Sequence, residues 1–271
     1  MIDVWRMSAS RPWQLAQTHP KLIKHLKYNG ELRYHLIESV LVEELSQKCI
    51  KFAKDNDYKI HIIRPAKGQG YAMNFAIKNV ITSKYALKFE DDFQPEVTIP
   101  LDECVALMEE YPHINQICFN KRKTLNGKYI SEWREDEQKC VKFKFIKEQR
   151  YFIVNGKIYP LVVKERWWFG AGIWRMNFIK PLFQPFLNDT HNQMNDRVLM
   201  PMAGFVYGDE GNGFRGRKQP TAEQLEKNVG CYIWGKTKDP AMVEHTGRED
   251  SLWYGKLQER WRAKGYKILG E

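Results

Sequence analysis

The 271-residue sequence predicts an α/β fold in which a mostly parallel sheet is flanked by helices. Three observations predict it. Strand and helix patterns alternate over the first 93 residues with short connections. Four βα units in succession imply a parallel sheet with helices on both sides. The fourth run ends in three adjacent acids, Glu90-Asp91-Asp92, which repel one another and are unsuited to a core.

The elements follow in order. Ile2–Met7 is rich in β-formers, and Pro12 and Pro20 bracket a helix entrance before the stripe Leu22, Ile23, Leu26. Leu32–Val40 reads as a strand, with Leu41, Leu45, Cys49 and Phe52 at helical spacing after it. Tyr58–Arg64 alternates as a strand and stops at Pro65. Gly68-Gln69-Gly70 then opens a helix with Met73, Ala76, Ile77 and Val80 on one face. Tyr85–Phe89 is the fourth strand. Beyond it, Leu101, Val105 and Met108 mark a helix and Asn115–Asn120 a strand. Asn155-Gly156 between Tyr151–Val154 and Lys157–Val163 signals an added β-hairpin. Gly208–Gly216 reads as a mobile loop, and Ser251–Lys264 as a closing helix. With no internal repeat or linker, one domain over 1–271 is expected.

Hydrophobic residues make up 43% and aromatics 13%, enough for a sizeable core and against global disorder. No stretch approaches the roughly 20 apolar residues of a membrane span. The opening Met1-Ile2-Asp3 lacks the pattern of a signal peptide. Cys49, Cys104, Cys118, Cys140 and Cys231 are scattered, which argues against a disulfide scaffold and for a reducing compartment. A soluble cytoplasmic protein is the expectation, in a host's cytoplasm if the source is viral.

The net charge of +10 is uneven. Residues 1–120 hold 15 basic and 15 acidic side chains, so the remainder carries the whole excess. Lys139–Arg166 alone has eight basic residues against Glu148 and Glu165. That asymmetry suggests an anionic partner, a solvated basic face being the alternative.

At a strand's carboxyl end, Glu90, Asp91 and Asp92 suit a divalent cation held through oxygens. A cation there would neutralise a departing diphosphate. The alternative is an ordinary acidic loop. Gly68-x-Gly70-x-x-Met73-Asn74-x-Ala76, then a strand, then these acids, resembles the nucleotide-binding half of GT-A glycosyltransferases of family two. Trp167-Trp168-Phe169-Gly170-Ala171-Gly172 with Trp174-Arg175 is similar to that family's acceptor segment. Asn195-Asp196-Arg197-x-Leu199 resembles its Glu-Asp stretch, with Asn195 in place of the Glu. Val243-Glu244-His245 lies where many members supply a further metal ligand.

The resemblance implies a GT-A-type sheet, with residues 1–120 the nucleotide-sugar half and 121–271 the acceptor and catalytic half. It implies a UDP-sugar donor and a divalent metal, Mn or Mg. Asp92, Glu90 and His245 would be metal ligands, with Asp91 facing ribose or metal. Glu38 would contact the base and Ser8 the nucleotide; apart from the resemblance, Lys67, Arg64 and Arg175 have the charge to bind phosphate. Asp196 would be the general base of an inverting displacement. Trp167 and Trp168 either stack on the acceptor or belong to the core, and Lys142 and Lys144 represent the basic acceptor segment.

A polyanionic acceptor fits the charge. Phage enzymes that glycosylate hydroxymethylated cytosine make that demand, so DNA is the favoured partner. Polysaccharide, lipid-linked or small-molecule acceptors are the alternatives. A nucleotidyltransferase would resemble a Gly-rich loop after strand one, and Met7-Ser8-Ala9-Ser10-Arg11 has none. A non-catalytic basic nucleic-acid-binding protein leaves the clustered acids unexplained.

Overall fold

In the computed structural model the described residues are 1–119, 122–123, 129–130, 148–164, 170–183, 202, 221–237, 239–246 and 254–270. The first half runs β1 (Ile2–Ser8), α1 (Pro12–His25), β2 (Leu26–Lys27), β3 (Leu32–Ser39), α2 (Glu43–Asp55), β4 (Lys59–Ile63), α3 (Gln69–Phe75) and β5 (Tyr85–Glu90). A wider helical turn, Ala76–Val80, extends α3. Then come β6 (Phe93–Pro95), β7 (Ile99–Pro100), α4 (Leu101–Glu110), β8 (Gln116–Cys118), β9 (Arg122–Lys123) and β10 (Tyr129–Ile130). The rest is β11 (Gln149–Val154), β12 (Lys157–Val163), β13 (Gly172–Arg175), α5 (Met176–Phe183), α6 (Ala222–Asn228), β14 (Cys231–Trp234), β15 (Val243–His245) and α7 (Tyr254–Ala263).

The α/β architecture expected from the sequence is present. A nine-stranded sheet has the order β11-β12-β14-β8-β13-β5-β1-β3-β4. The first-half strands β4, β3, β1 and β5 are parallel neighbours, so their carboxyl ends share one edge. All seven residues of β1 are buried, because helices cover both faces of a parallel sheet. Trp5 and Trp174 meet edge-on in this core, ring centres 5.6 Å apart.

Pro20 lies inside α1 rather than at its entrance. Pro12 takes the first turn, where a missing N–H costs nothing, and buried Leu15 and Leu22 on either side of Pro20 hold the helix through it. The predicted hairpin forms as β11–β12, with Asn155 at φ 50° and Gly156 at φ 72°, the left-handed pair its two-residue turn demands.

Within the Trp167–Arg175 stretch likened to an acceptor segment, Gly172–Arg175 is a strand. It runs antiparallel between β5 and β8. A Cβ on Gly172 would stand 3.0 Å from the Ile117 carbonyl oxygen, so glycine permits this close pairing.

Helix α7 and the residues after it close over the loops at the carboxyl edge. Leu257, Trp261 and Ile268 are buried with Leu41, Val42 and Leu45, and Ala9 and Ala66 pack against them. The Leu269 N–H donates to the Leu41 carbonyl at 2.9 Å. No helix among the described residues is long and apolar enough to cross a membrane.

Candidate functional site

The register places Ser8 beside Glu38 and Met7 beside Glu90, so the ends of β1, β3 and β5 form one ledge. Asp91 and Asp92 follow directly and are buried. Arg11, on the turn between β1 and α1, reaches across to both. Its Nε donates to Asp91 Oδ2 at 2.9 Å and its Nη1 to Asp92 Oδ2 at 3.0 Å, while Nη2 pairs with Asp91 Oδ1. A planar guanidinium is the side chain that can make such a fork. Arg6 and Thr18 then fix the turn from below, donating to the Asp91 carbonyl oxygen at 3.1 and 2.8 Å.

The C-terminal part completes the ledge. Strand β15 pairs antiparallel with β6, setting His245 opposite Phe93. His245 Nε2 lies 3.2 Å from Asp92 Oδ2, and its ring packs on Phe93 at 4.8 Å. The Thr246 N–H and hydroxyl both donate to the Asp92 carbonyl oxygen, at 2.8 and 3.0 Å. Glu90 is held by fully buried Lys88 at 2.7 Å and by Gln69 Nε2 at 2.9 Å.

Burial would raise the Asp92 carboxyl, but the hydrogen bond with His245 and the charge of Arg11 outweigh it and hold Asp92 below the usual carboxylate range. Burial pushes Asp91 upward, against the pull of Arg11. Glu38 is fully buried, and burial pushes it up to about 7 despite hydrogen bonds from the Ser46 hydroxyl at 2.6 Å and the Ser10 N–H at 2.9 Å. Both donors use Oε1, and Oε2 has no hydrogen-bond partner among the described residues.

A carboxyl whose folded pKa is raised stabilises the fold fully below its unfolded pKa and loses that contribution as pH rises through the folded one. Glu38 should therefore cost stability progressively between about pH 4.5 and 7. Glu38→Gln keeps the accepting oxygen and cannot ionise. Its unfolding free energy should exceed the parent's above pH 7, by up to about 3 kcal/mol. Urea unfolding at pH 5 and 8 checks this: an equal difference at both values would remove Glu38 as the cause.

Of the expected site residues, the structure brings Ser8, Glu38, Glu90, Asp91, Asp92 and His245 together. Ser8 is buried, its hydroxyl 3.9 Å from Cys49 Sγ. Glu38 orders the β1–α1 turn through Ser10. Lys67 is exposed on the loop after β4, its ammonium 4.7 Å from the Tyr71 ring centre. Arg175 must be corrected. It pairs in register with Tyr85, at the opposite end of β5 from Glu90 and about 16 Å away along the strand. Its buried guanidinium donates to the Ile114 and Met108 carbonyls and to the Tyr85 hydroxyl, so it braces the fold and holds no donor phosphate. Asp196, Trp167, Trp168, Lys142, Lys144 and the 208–217 loop lie outside the described residues.

Arg11 was missed. The available signal was its position: an arginine just after the first strand, on the edge that carries the acids.

The donor atoms suit a divalent ion of the Mn or Mg kind. Asp92 Oδ1 is buried without a hydrogen-bond partner among the described residues, and the His245 nitrogen adjoins the same carboxylate. No three His, Cys, Asp or Glu among the described residues form a cage by themselves. Ions of this type are commonly held by one or two carboxylates, with waters and substrate phosphates supplying the rest.

The chain matches no protein-family model and no curated protein. It is similar to solved structures of low identity. The crystal structure of S. aureus TarS 1–349 is 13% identical with a TM-score of 0.49, over 92% of this chain and 61% of that one. The same fragment in complex with UDP-GlcNAc gives 11% and 0.48, over 97% and 64%. GalNAc-T7 with UDP, GalNAc and Mn2+ gives 12% and 0.43, over 67% and 36%. The chain thus spans less than two thirds of the TarS fragment it is similar to.

Proposed function

We propose that the chain is a metal-dependent glycosyltransferase that moves a sugar from a UDP-sugar to an acceptor hydroxyl with inversion. One observation carries this reading: a buried acid pair, Asp91-Asp92, stands with His245 at the carboxyl edge of four parallel strands. Open α/β sheets bind ligands at that edge. A bound divalent ion would stabilise the charge developing on the diphosphate. Asp92 and His245 would hold it, and Glu90, fixed by Lys88 and Gln69, would border it. Ser8, in register beside Glu38 at the end of β1, would face the nucleotide. The acceptor oxygen bonds to the anomeric carbon, the bond to the diphosphate breaks with its electron pair leaving on UDP, and Asp196 takes the acceptor's proton.

The favoured acceptor is hydroxymethylated cytosine in DNA. The basic excess of residues 121–271 supports it, since each neutralised phosphate releases counterion. Trp167 and Trp168 supply flat faces for a base turned out of the duplex. A non-catalytic DNA-binding protein would have no use for buried carboxylates at a strand end, whose desolvation is costly.

The test combines donor hydrolysis and acceptor binding. UDP-sugar turnover with Mn2+ should rise when hydroxymethylated DNA is added. Duplex affinity by fluorescence anisotropy should fall steeply from about 50 to 200 mM salt. Lys142→Glu with Lys144→Glu should flatten that slope and leave UDP affinity unchanged. No binding at low salt would exclude DNA and leave a glycan, lipid-linked or small-molecule acceptor. No turnover of any UDP-sugar would remove the transferase reading.

A further inference from the structure

We infer that Arg11 occupies the divalent ion's seat when no ion is bound, so that the guanidinium and the ion compete for the same carboxylates. The inference deepens the reading above and rests on it only for the purpose of the ion. Three of the four carboxylate oxygens of Asp91 and Asp92 are taken by Arg11, and the fourth, Asp92 Oδ1, is the buried atom without a partner. Asp92 Oδ2 receives Arg11 Nη1 at 3.0 Å and adjoins His245 Nε2 at 3.2 Å, so an ion bridging Asp92 and His245 would meet the guanidinium.

Charge leads to the same place. Glu90 is paired with Lys88, Arg11 is paired with both aspartates, and the buried Arg6 guanidinium adds a second cation beside Asp91. Adding two positive charges with Arg11 in place would put like charges together in a buried setting. Releasing Arg11 removes that repulsion and frees three carboxylate oxygens for the ion. The released side chain has a route outward, since Arg11 is already 13% exposed whereas both aspartates are sealed. It would then face the diphosphate that the ion binds, its fork suited to phosphate oxygens. Arg11 is a positioning residue in the ion-free state and a phosphate contact in the loaded one.

The probe is Mn2+ alone. Calorimetric titration at constant pH and ionic strength should show Arg11→Gln binding Mn2+ at least roughly tenfold more tightly than the parent, because the ion no longer displaces a paired cation. Arg11→Lys, a cation without the fork, should fall between them. In the unaltered chain, phenylglyoxal labelling of Arg11, followed by mass spectrometry, should rise several-fold at saturating Mn2+. This second measurement decides the matter if Arg11→Gln does not fold. Unchanged or weaker Mn2+ affinity in Arg11→Gln would overturn the inference. So would constant labelling at saturation, or no Mn2+ binding by either chain. UDP-sugar hydrolysis measured separately, with and without Mn2+, reports on the transferase reading, so the two can fail independently.

Discussion

Replacing Asp92 by Asn is expected to abolish the gain in UDP affinity that Mn2+ or Mg2+ confers. The substitution removes the charge and one carboxylate oxygen at the position that joins Arg11, His245 and the unpartnered Oδ1. An amide oxygen is a far weaker ligand for a hard cation than a carboxylate. The fold should survive the change. Arg11 keeps both contacts with Asp91, and the Asp92 carbonyl still accepts from Thr246. The stability cost should be that of one charged hydrogen bond, about 1.5–3 kcal/mol. Calorimetry with UDP, with and without metal, checks the prediction on protein whose cooperative unfolding is confirmed. A metal-dependent gain equal to the parent's would place the ion elsewhere.

The second large effect belongs to Asp196. Asp196→Asn is expected to bind UDP-sugar as the parent does and to transfer about 10²–10⁴ times more slowly, the weight of a general base. A carboxamide accepts a hydrogen bond from the acceptor hydroxyl but cannot take its proton. Single-turnover transfer with bound donor isolates the step, and the anomeric configuration of the product by NMR distinguishes inversion from retention. Undiminished transfer would move the role to Asp209 or Glu210.

The parts of the fold that the sequence disclosed are those decided locally. Ile2–Ser8, Leu32–Ser39 and Tyr85–Glu90 are strands because short β-forming runs buried on two faces announce themselves. The hairpin was legible because Asn155-Gly156 satisfies a backbone demand of its own turn. The place of the acids at a strand end was legible, but their burial was not: adjacent carboxylates looked unsuited to a core, and Arg11 pairs with both Asp91 and Asp92 inside it. What stayed hidden depends on partners far along the chain. Arg11 is separated from Asp91 by 80 positions, and a single arginine in a loop does not announce a buried fork. Arg175 was misplaced for the complementary reason: its charge suited phosphate, and only the antiparallel course of β13 shows that it faces the wrong end of β5. Helix α6 had a visible signal that went unused, since Thr221 and Gln224 form a capping box.

The covering of Leu41, Val42 and Leu45 by Leu257, Trp261 and Ile268 has a consequence for biosynthesis. A nascent chain would have made all four first-half parallel strands long before residues 254–270 left the ribosome. Until then, the apolar rim beside the ledge would face solvent, and His245 would reach Asp92 only once β15 had been made and paired with β6. Translation therefore delivers the four parallel strands before the residues that complete the ledge. A half-made chain would expose that rim and be a client for chaperones.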